Sequence, residues 1–329
     1  MVGHDIIVIG ASAGGVEALK QLAHDLPADL HAAVFIVLHV SPHGTSVLPD
    51  ILNRSGTLPA AHATHGQPII SHQIYVAPPN YHMLVKPGYV QLTQGPRENG
   101  HRPAIDVLFR TAARAYGSRV IGVVLSGVLD DGTVGLLAVK NRGGIAVVQD
   151  PADALYRGMP DNAIAAVDVD HIAPIARISL LLARLAREPI EEEHVEMSDE
   201  PDVAEGEENG RQIYEPGGTP TTYVCPDCGG VLMEYQNGNM VRFRCQVGHA
   251  YSPDTLIANQ NEALEDALWM ALRALDENAS LNRRMAERAG KRGFKETQER
   301  YLEQVSTSEA NAAVLRDLLL RDNRHDENS

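Results

Sequence analysis

The chain has 329 residues, of which 44% are hydrophobic and 22% charged, and its formal net charge is -15. This is an ordinary globular composition, which excludes a largely disordered chain and favours two or three modules. The longest fully apolar run, residues 32–38, is far too short to span a bilayer, and the N-terminus lacks the basic start of a secretion signal. We therefore expect a cytoplasmic protein that is not inserted in a membrane.

Most of the negative charge lies in one stretch. Residues 188–215 contain twelve acidic residues and one basic residue, Arg211. A stretch of this composition does not bury enough apolar surface to fold alone, so we predict an acidic flexible linker over residues 188–220. The rest of the chain is nearly neutral and has no cluster of Lys and Arg, so nucleic acid is not an expected partner.

Residues 1–187 alternate short apolar strands with helical patterns. The predicted strands cover residues 6–9, 33–38, 74–77, 120–125 and 145–148, and the predicted helices cover 16–26, 104–116, 133–141 and 175–186. Pro87-Gly88 marks a turn between residues 82–85 and 89–92, which predicts a hairpin and suggests an antiparallel edge. This order predicts an α/β fold, a mostly parallel sheet with helices on both faces.

The last module is predicted to be helical. Residues 253–322 are rich in Ala, Leu, Glu and Arg, and they carry two amphipathic stripes separated by Gly290-Lys291-Arg292-Gly293. This pattern predicts a C-terminal helical hairpin. Because the stripes are not sustained heptads, self-packing of the hairpin is favoured over dimerisation or docking on another module or partner.

The three cysteines of the chain lie in a compact segment, predicted over residues 221–252, with the spacing of a metal site. Cys225-x-x-Cys228 is followed after sixteen residues by Cys245-x-x-x-His249. Three thiolates and one imidazole suit tetrahedral Zn²⁺, and a closed set of four ligands leaves no open position for catalysis. We predict a small zinc ribbon with a structural zinc; incidental free thiols are the alternative. The segment has only two arginines, which favours an architectural or protein-binding role.

Ser12 lies where the first strand runs into a helix, in Ile9-Gly10-Ala11-Ser12-Ala13-Gly14-Gly15. Such a position exposes a hydroxyl at the rim of the sheet, where backbone N–H groups and the helix dipole favour developing negative charge. Ser12 is therefore a candidate nucleophile. Two other interpretations are open. Ser12 could be a helix N-cap with the glycines forming a tight turn. The segment could also be a dinucleotide-binding turn, although Gly10-x-Ser12-x-x-Gly15 keeps only the first and last of the three glycines of that motif.

Two further strands end in the partners that a nucleophilic serine needs. His39 directly follows the second strand, and the strand over residues 120–125 leads into a loop that contains Asp130 and Asp131. In a parallel sheet these strand ends share one edge with Ser12. An imidazole removes the serine proton, and a carboxylate fixes the tautomer of the imidazole. The pattern predicts a triad of Ser12, His39 and one of the two aspartates.

Several motifs occur in the order known from one protein family. They are Gly10-Ala11-Ser12-Ala13-Gly14-Gly15, Leu38-His39-Val40-Ser41-Pro42, Arg102-Pro103-Ala104-Ile105-Asp106-Val107-Leu108-Phe109, Leu125-Ser126-Gly127 through Asp130-Asp131-Gly132-Thr133-x-Gly135, and Gly143-Gly144 through Gln149-Asp150-Pro151 to Met159-Pro160. Together they resemble the catalytic domain of the chemotaxis protein-glutamate methylesterase, CheB. The resemblance covers about residues 3–187 and predicts that residues 1–187 form a CheB-type catalytic domain.

The resemblance implies an esterase that hydrolyses glutamate γ-methyl esters on the helical cytoplasmic region of a methyl-accepting chemotaxis receptor. The products are a glutamate carboxylate and methanol, and no cofactor is needed for catalysis. Deamidation of receptor glutamine by the same route is also permitted, although an amide nitrogen leaves less readily. Two alternatives are a signalling scaffold with an idle triad and, as a lesser option, a small-molecule esterase.

The same resemblance assigns roles to residues. Ser12 matches the nucleophile, His39 the general base, and Asp131 the carboxylate that orients His39, because the family pattern places its acid immediately before a glycine. Asp130 is the competing candidate. The oxyanion donor of the family maps onto the backbone N–H of Val128, in a place where the family often has Met-Gly and this chain has Val-Leu.

Members of the family commonly carry a receiver domain ahead of the esterase, which covers the site until it is phosphorylated. This chain begins almost at the first predicted strand. We therefore expect any regulation to come from the C-terminal modules or from a partner.

Overall fold

The computed structural model describes residues 3–40, 44–190, 207–208, 211–212, 217–237 and 240–326. Most of the predicted acidic linker lies outside the described residues. The chain divides into two compact units, residues 1–256 and 257–329. The first unit contains the sheet, the helices around it and the cysteine segment; the second contains most of the C-terminal helices.

Before the linker, the described residues form nine strands. They are β1 (Ile6–Ala11), β2 (Ala33–Leu38), β3 (Ala60–His62), β4 (Gln73–Val76), β5 (His82–Lys86), β6 (Tyr89–Thr93), β7 (Val120–Val124), β8 (Ile145–Gln149) and β9 (His171–Ala173). Seven of them form one fully parallel sheet in the order β3-β4-β2-β1-β7-β8-β9. The three central strands are buried along their whole length, as expected for a parallel sheet covered on both faces.

Six α-helices within residues 3–40 and 44–190 cover the two faces of this sheet. They are α1 (Gly15–Asp25), α2 (Leu48–Ser55), α3 (Ile105–Tyr116), α4 (Thr133–Asn141), α5 (Gly158–Ala166) and α6 (Ile175–Leu185). The buried faces of α1, α2 and α6 share one hydrophobic core with the sheet, and those of α3, α4 and α5 share a second core on the opposite side. The predicted α/β class, with helices on both faces, is confirmed.

The hairpin of β5 and β6 differs from the prediction in one respect. It forms a separate two-stranded antiparallel sheet and does not extend the edge of the large sheet. Its apolar residues Met83 and Val85 are buried in the core that contains α3, and the N–H of Val85 donates to the hydroxyl of Thr111 on that helix at 3.1 Å. Burial against α3 therefore holds the hairpin off the sheet edge.

The remaining strands lie later in the first unit. Two two-residue strands, β10 (Glu207–Glu208) and β11 (Arg211–Gln212), pair with each other. The cysteine segment forms a four-stranded antiparallel sheet of β12 (Thr219–Val224), β13 (Val231–Asn237), β14 (Met240–Cys245) and β15 (Ala250–Tyr251), in that order. Its small core consists of six buried residues: Cys225, Leu232, Phe243, Cys245, Tyr251 and Leu256. The cysteine segment thus folds as a small antiparallel sheet within the first unit.

Two long helices follow, α7 (Pro253–Lys291) and α8 (Lys295–Asp326), separated by the predicted glycine-containing break. Leu272 of α7 is buried with Ala312 and Leu319 of α8, so the two helices pack on each other as a hairpin. Within the described residues, neither of these helices nor any other combines the length and the apolar character needed to cross a membrane.

Candidate active site

Ser12 lies at the carboxyl edge of the sheet, directly after β1. The register pairs Ala11 with Leu38 of β2 and Gly10 with Val124 of β7, so the three strands end side by side. The N-cap of α1 is Gly14, in a left-handed conformation, and no side chain caps this helix. Ser12 is therefore not the N-cap, and its hydroxyl is available for other contacts.

His39 bridges Ser12 and Asp131. Its Nδ1 lies 3.2 Å from the Oγ of Ser12, and its Nε2 lies 2.7 Å from Oδ2 of Asp131. The side chains of His39 and Asp131 are only 7% and 3% exposed. An ionised carboxylate only accepts hydrogen bonds, so Nε2 carries the proton and Nδ1 is left to accept from the serine. The imidazole therefore faces the serine with Nδ1, whereas in serine proteases Nε2 faces the serine.

Asp131 is held by hydrogen bonds on both oxygens. It accepts from His39 Nε2 at 2.7 Å, Ile105 N–H at 2.8 Å, Asp106 N–H at 3.2 Å and Asn99 Nδ2 at 3.0 Å. Ile105 and Asp106 are the first residues of α3, whose free N–H groups and positive dipole end favour a carboxylate. Burial opposes ionisation, but the hydrogen bond from His39, the charge of that ring when it is protonated, and the Ile105 N–H lower the pKa of Asp131 to about 2. Asp131 is therefore ionised near neutral pH.

The neighbouring aspartates have different surroundings. Asp130 accepts hydrogen bonds from the hydroxyls of Ser252 and Thr255, each at 2.8 Å, and not from His39. Asp106 is fully buried; burial and the nearby charge of Asp131 raise its pKa to about 8. The structure thus brings Asp131, and not its competitor Asp130, to His39.

Val128 lies in the loop between β7 and α4, with 47% of its surface exposed. Among the described residues, no hydrogen-bond acceptor is paired with its N–H. The next residue, Leu129, has φ 59, the left-handed conformation that glycine adopts most readily. Its carbonyl accepts a hydrogen bond from Asn162 at 2.9 Å. The loop keeps a glycine-like backbone at Leu129, although the sequence has no glycine there.

Three polar residues of the site were not predicted from the sequence: Glu98, Asn99 and His101. The ring of His101 stacks on that of His39, and the amide of Asn99 contacts Asp131. They lie immediately before the Arg102-Pro103 motif, in the loop that enters α3. In the sequence, these residues form only a short polar run next to a recognised motif. Such a run does not indicate that the side chains are buried, because their burial arises only in the folded chain.

The predicted metal ligands also come together. The sulfurs of Cys228 and Cys245 lie 3.7 Å apart, and Nδ1 of His249 lies 3.7 Å from the sulfur of Cys225 and 3.6 Å from that of Cys245. All four ligand atoms lie within 4.8 Å of one another. A tetrahedral Zn²⁺ with Zn–S bonds of about 2.3 Å has sulfur–sulfur edges of about 3.8 Å, so the cluster fits this ion.

Each half of the cluster is a tight turn. In the first turn the N–H of Gly229 donates to the carbonyl of Cys225 at 2.8 Å, and in the second the N–H of Gly248 donates to the carbonyl of Cys245 at 2.9 Å. A side-chain hydrogen bond with Cys245 is the main cause that lowers the pKa of the Cys225 thiol. The same hydrogen bond, together with burial, raises the pKa of the Cys245 thiol, so crowding favours ionisation of one sulfur and opposes that of the next. A bound cation would stabilise the further thiolates, because metal binding to thiols requires the loss of their protons.

Comparison with known proteins places this site in context. Residues 7–182 match the family model described as CheB methylesterase. A Leptospira interrogans protein, whose name assigns it provisionally to the protein-glutamate methylesterase/protein-glutamine glutaminases, is 38% identical over 192 residues, which are 58% of this chain and all of that protein. The protein-glutamate methylesterase/protein-glutamine glutaminase 3 of Burkholderia lata is 40% identical over 186 residues, which are 55% of this chain and 51% of that protein.

A solved structure shows the same fold. The crystal structure of the Thermotoga maritima CheB methylesterase catalytic domain matches with a TM-score of 0.54 and 31% sequence identity. The match covers 56% of this chain and all of that domain. The Cys225–His249 cluster and the C-terminal helices lie beyond the residues that match the family model.

Proposed function

Because this chain belongs to the CheB methylesterase family, we propose that it hydrolyses glutamate γ-methyl esters on methyl-accepting chemotaxis receptors. The observation that carries the proposal is the hydrogen-bonded series from Ser12 through His39 to Asp131 at one edge of the sheet. The substrate glutamates lie on the helical cytoplasmic region of the receptor, so the enzyme acts in the cytoplasm.

The geometry supports an acyl-transfer mechanism. His39 Nδ1 accepts the hydroxyl proton of Ser12 while Oγ attacks the ester carbonyl, and Asp131 stabilises the imidazolium that forms. The tetrahedral intermediate collapses when the imidazolium protonates the departing methoxide, which leaves as methanol. A water, deprotonated by the same ring, then attacks the acyl-enzyme and releases the glutamate carboxylate and free Ser12.

The N–H of Val128 is the proposed oxyanion donor. It lies in the exposed loop after β7, at the same edge of the sheet as Ser12, and it has no partner among the described residues. A backbone donor of this kind contributes on the order of 10²-fold to 10³-fold to kcat in serine hydrolases. An alkyl ester is reactive enough for these groups alone, so catalysis needs no cofactor. Receptor glutamine deamidation follows the same route with ammonia as the leaving group, at a lower rate.

The decisive experiment measures methanol release from methylated receptor membranes. Wild type should release methanol, and Ser12→Ala should reduce the rate to background. Ser55→Ala is the matched control, because the Ser55 hydroxyl donates to the carbonyl of Ile51 within its own helix, α2. If wild type and Ser12→Ala are both inactive on receptor and on small esters, the chain is a signalling scaffold with an idle triad. Activity on small esters alone would indicate a small-molecule esterase.

A structural zinc, held by Cys225, Cys228, Cys245 and His249, is part of the same proposal. Four protein ligands close a tetrahedral shell, so the ion stabilises the fold of its module and does not bind substrate. The small core of this module, together with the spacing of the four ligand atoms, supports the assignment. Elemental analysis should find one zinc per chain, and Cys228→Ser should lower the zinc content; metal-free protein with a folded module would contradict it.

A further inference from the structure

The loop before α3, which contains Glu98, Asn99 and His101, is hydrogen-bonded on two sides to different parts of the first unit. On one side the Nδ2 group of Asn99 donates to Oδ1 of Asp131 at 3.0 Å and to Oδ2 of Asp106 at 3.1 Å. On the other side its Oδ1 accepts the N–H of Ser252 at 3.1 Å, and its own N–H donates to the carbonyl of Ala250 at 2.7 Å. Asn99 is only 4% exposed. One side chain therefore links the candidate triad to the cysteine module.

Glu98 strengthens the same link with charge. It is 1% exposed and pairs with Arg110 of α3 at 3.0 Å and with Arg242 of β14 at 2.9 Å, while Arg244 lies 3.5 Å away. Burial opposes its ionisation, but these three arginines hold the pKa of Glu98 well below its usual range. The other guanidinium nitrogen of Arg244 donates to the carbonyl of Gly248 at 3.0 Å, within the turn that presents His249. The metal-binding turn and the loop thus share one charged network.

The covalent neighbour of Asp131 is held by the same module. Asp130 accepts the hydroxyls of Ser252 and Thr255, which lie just after the last metal ligand, His249. Burial raises the pKa of Asp130, while these two hydroxyls oppose that rise. The module therefore holds Asp131 in position in two ways: through Asn99, which donates a hydrogen bond to it, and through Asp130, which precedes it in the chain.

We propose, resting on the function proposed above, that Asn99 is a positioning residue through which the folded Cys225–His249 module keeps Asp131 oriented toward His39. The core of that module is small, and domains of this size commonly need their metal in order to fold. Loss of zinc then releases Ala250 and Ser252 from Asn99, and Asp131 loses one of its donors. Activity of the ester-hydrolysing site depends in this way on an ion that never touches the substrate.

The first test follows the link without any substrate. Amide hydrogen exchange is compared in the full chain with zinc bound, after chelation, and after zinc is added back. The N–H of Asn99 donates to Ala250, and those of Ile105 and Asp106 donate to Asp131. Peptides that contain these amides should exchange at least about tenfold faster without zinc and recover with it, because their hydrogen bonds open more often. The inference is overturned if chelation speeds exchange within the cysteine module but leaves it unchanged in the peptides that contain Asn99, Ile105 and Asp106.

The second test measures the reactivity of Ser12 with a fluorophosphonate. Labelling stoichiometry counts the folded sites, and the labelling rate reports how well Ser12 is activated. Asn99→Ala and the double variant Ser252→Ala/Thr255→Ala should both still be labelled with one group per chain, but more slowly than wild type. For Asn99→Ala the labelling rate should fall by about 10-fold to 100-fold, because a buried hydrogen bond to a charged group is lost. With methylated receptor, kcat should fall and KM should stay the same, because Asn99 is buried away from substrate.

Thr221→Ala is the matched control for these variants. Its hydroxyl donates to the carbonyl of Leu232 and accepts the N–H of Tyr223, and both partners belong to the cysteine module. It should label at the wild-type rate. Full labelling of Asn99→Ala at the wild-type rate overturns the inference. A lower labelling stoichiometry with an unchanged labelling rate also overturns it, because this result indicates that Asn99 has a purely structural role. If wild-type Ser12 is not labelled at all, the proposed function fails, and the exchange experiment still decides whether the module and the loop are coupled.

Discussion

The imidazole rings of His39 and His101 lie stacked, with centroids 3.7 Å apart and planes inclined by 16°. Burial, and then the charge of His39, lower the pKa of His101 to about 4. His101 is therefore neutral near pH 7. A neutral ring supports His39 by stacking, whereas a charged ring in the same place would oppose its protonation during proton transfer.

The low pKa of His101 predicts a loss of stability in acid. The unfolded chain takes up a proton near pH 6.5, but the folded chain does so only near pH 4, so protons favour unfolding between these values. This stability is fully present above about pH 6.5 and is lost as the pH falls toward 4, by on the order of 3 kcal/mol in total. The raised pKa of Asp106 acts in the opposite direction over the same range, so the contribution of His101 is measured as a difference between wild type and a His101 variant. Urea unfolding followed by circular dichroism at pH 7 and pH 4.5 gives the free energies.

His101→Gln should remove this part of the pH dependence. The variant is expected to be less stable than wild type at pH 7 but to lose less free energy of unfolding between pH 7 and pH 4.5. His24→Gln is the control, because the side chain of His24 is 74% exposed and lies away from the site. An identical pH dependence in His101→Gln and wild type would show that His101 titrates normally in the folded protein.

Asp131→Asn tests the choice between the two adjacent aspartates. The amide no longer fixes the tautomer of His39 or stabilises its cation, so kcat should fall by about 10⁴-fold while the protein stays folded. Asp130→Asn should retain most of the activity, since an amide oxygen still accepts the hydroxyls of Ser252 and Thr255. Methanol release from receptor, normalised to labelled Ser12, gives both values. A greater loss in Asp130→Asn would reverse the assignment.

The sequence predicted the parts of the site that depend on strand order. Ser12, His39 and Asp131 each follow a buried parallel strand, and the register of β1 with β2 and β7 brings those ends together. Asn99 follows no such rule. Its side chain contacts Asp131 and Ser252, which are 32 and 153 residues away along the chain. Contacts of this kind arise from the packing of two modules, and no local periodicity encodes them.

Gly127 should be irreplaceable for activity, because a Cβ at this position would lie against the sulfur of Met159 and 2.9 Å from the Cβ of Ser12. Met159 is flexible and can move, but Ser12 is held by the hydrogen bond from its N–H to the carbonyl of Ser126 at 3.0 Å. Gly127→Ala should therefore displace the hydroxyl from His39 and lower kcat by about 10²-fold.

The control for this variant is Gly122→Ala. Gly122 lies within β7, five residues before Gly127 in the sequence, and its added Cβ would lie 2.7 Å from Leu136 in the core, with no atom of Ser12 among its nearest neighbours. Both substitutions should lower the free energy of unfolding. Only Gly127→Ala should lower kcat per labelled serine, and equal rates per labelled site in the two variants would refute the steric argument.

Leu129 has a left-handed backbone, with φ 59, the conformation that glycine adopts most readily. A leucine in this conformation places its Cβ close to the following carbonyl oxygen, at a cost of roughly 1–2 kcal/mol. Leu129→Gly should remove that cost and raise the free energy of unfolding by about 1 kcal/mol relative to Leu129→Ala, after allowance for the extra freedom of glycine when unfolded.

Leu129→Ala is the matched reference because it removes the same side-chain contacts and keeps a Cβ. The comparison therefore isolates the backbone conformation from the packing of the leucine side chain. The carbonyl of Leu129 still accepts the amide of Asn162 in both variants, which keeps the loop in place. Urea unfolding of the two variants gives the difference directly. If Leu129→Gly is no more stable than Leu129→Ala, the loop relaxes without strain, and the absence of glycine in this chain has no conformational cost.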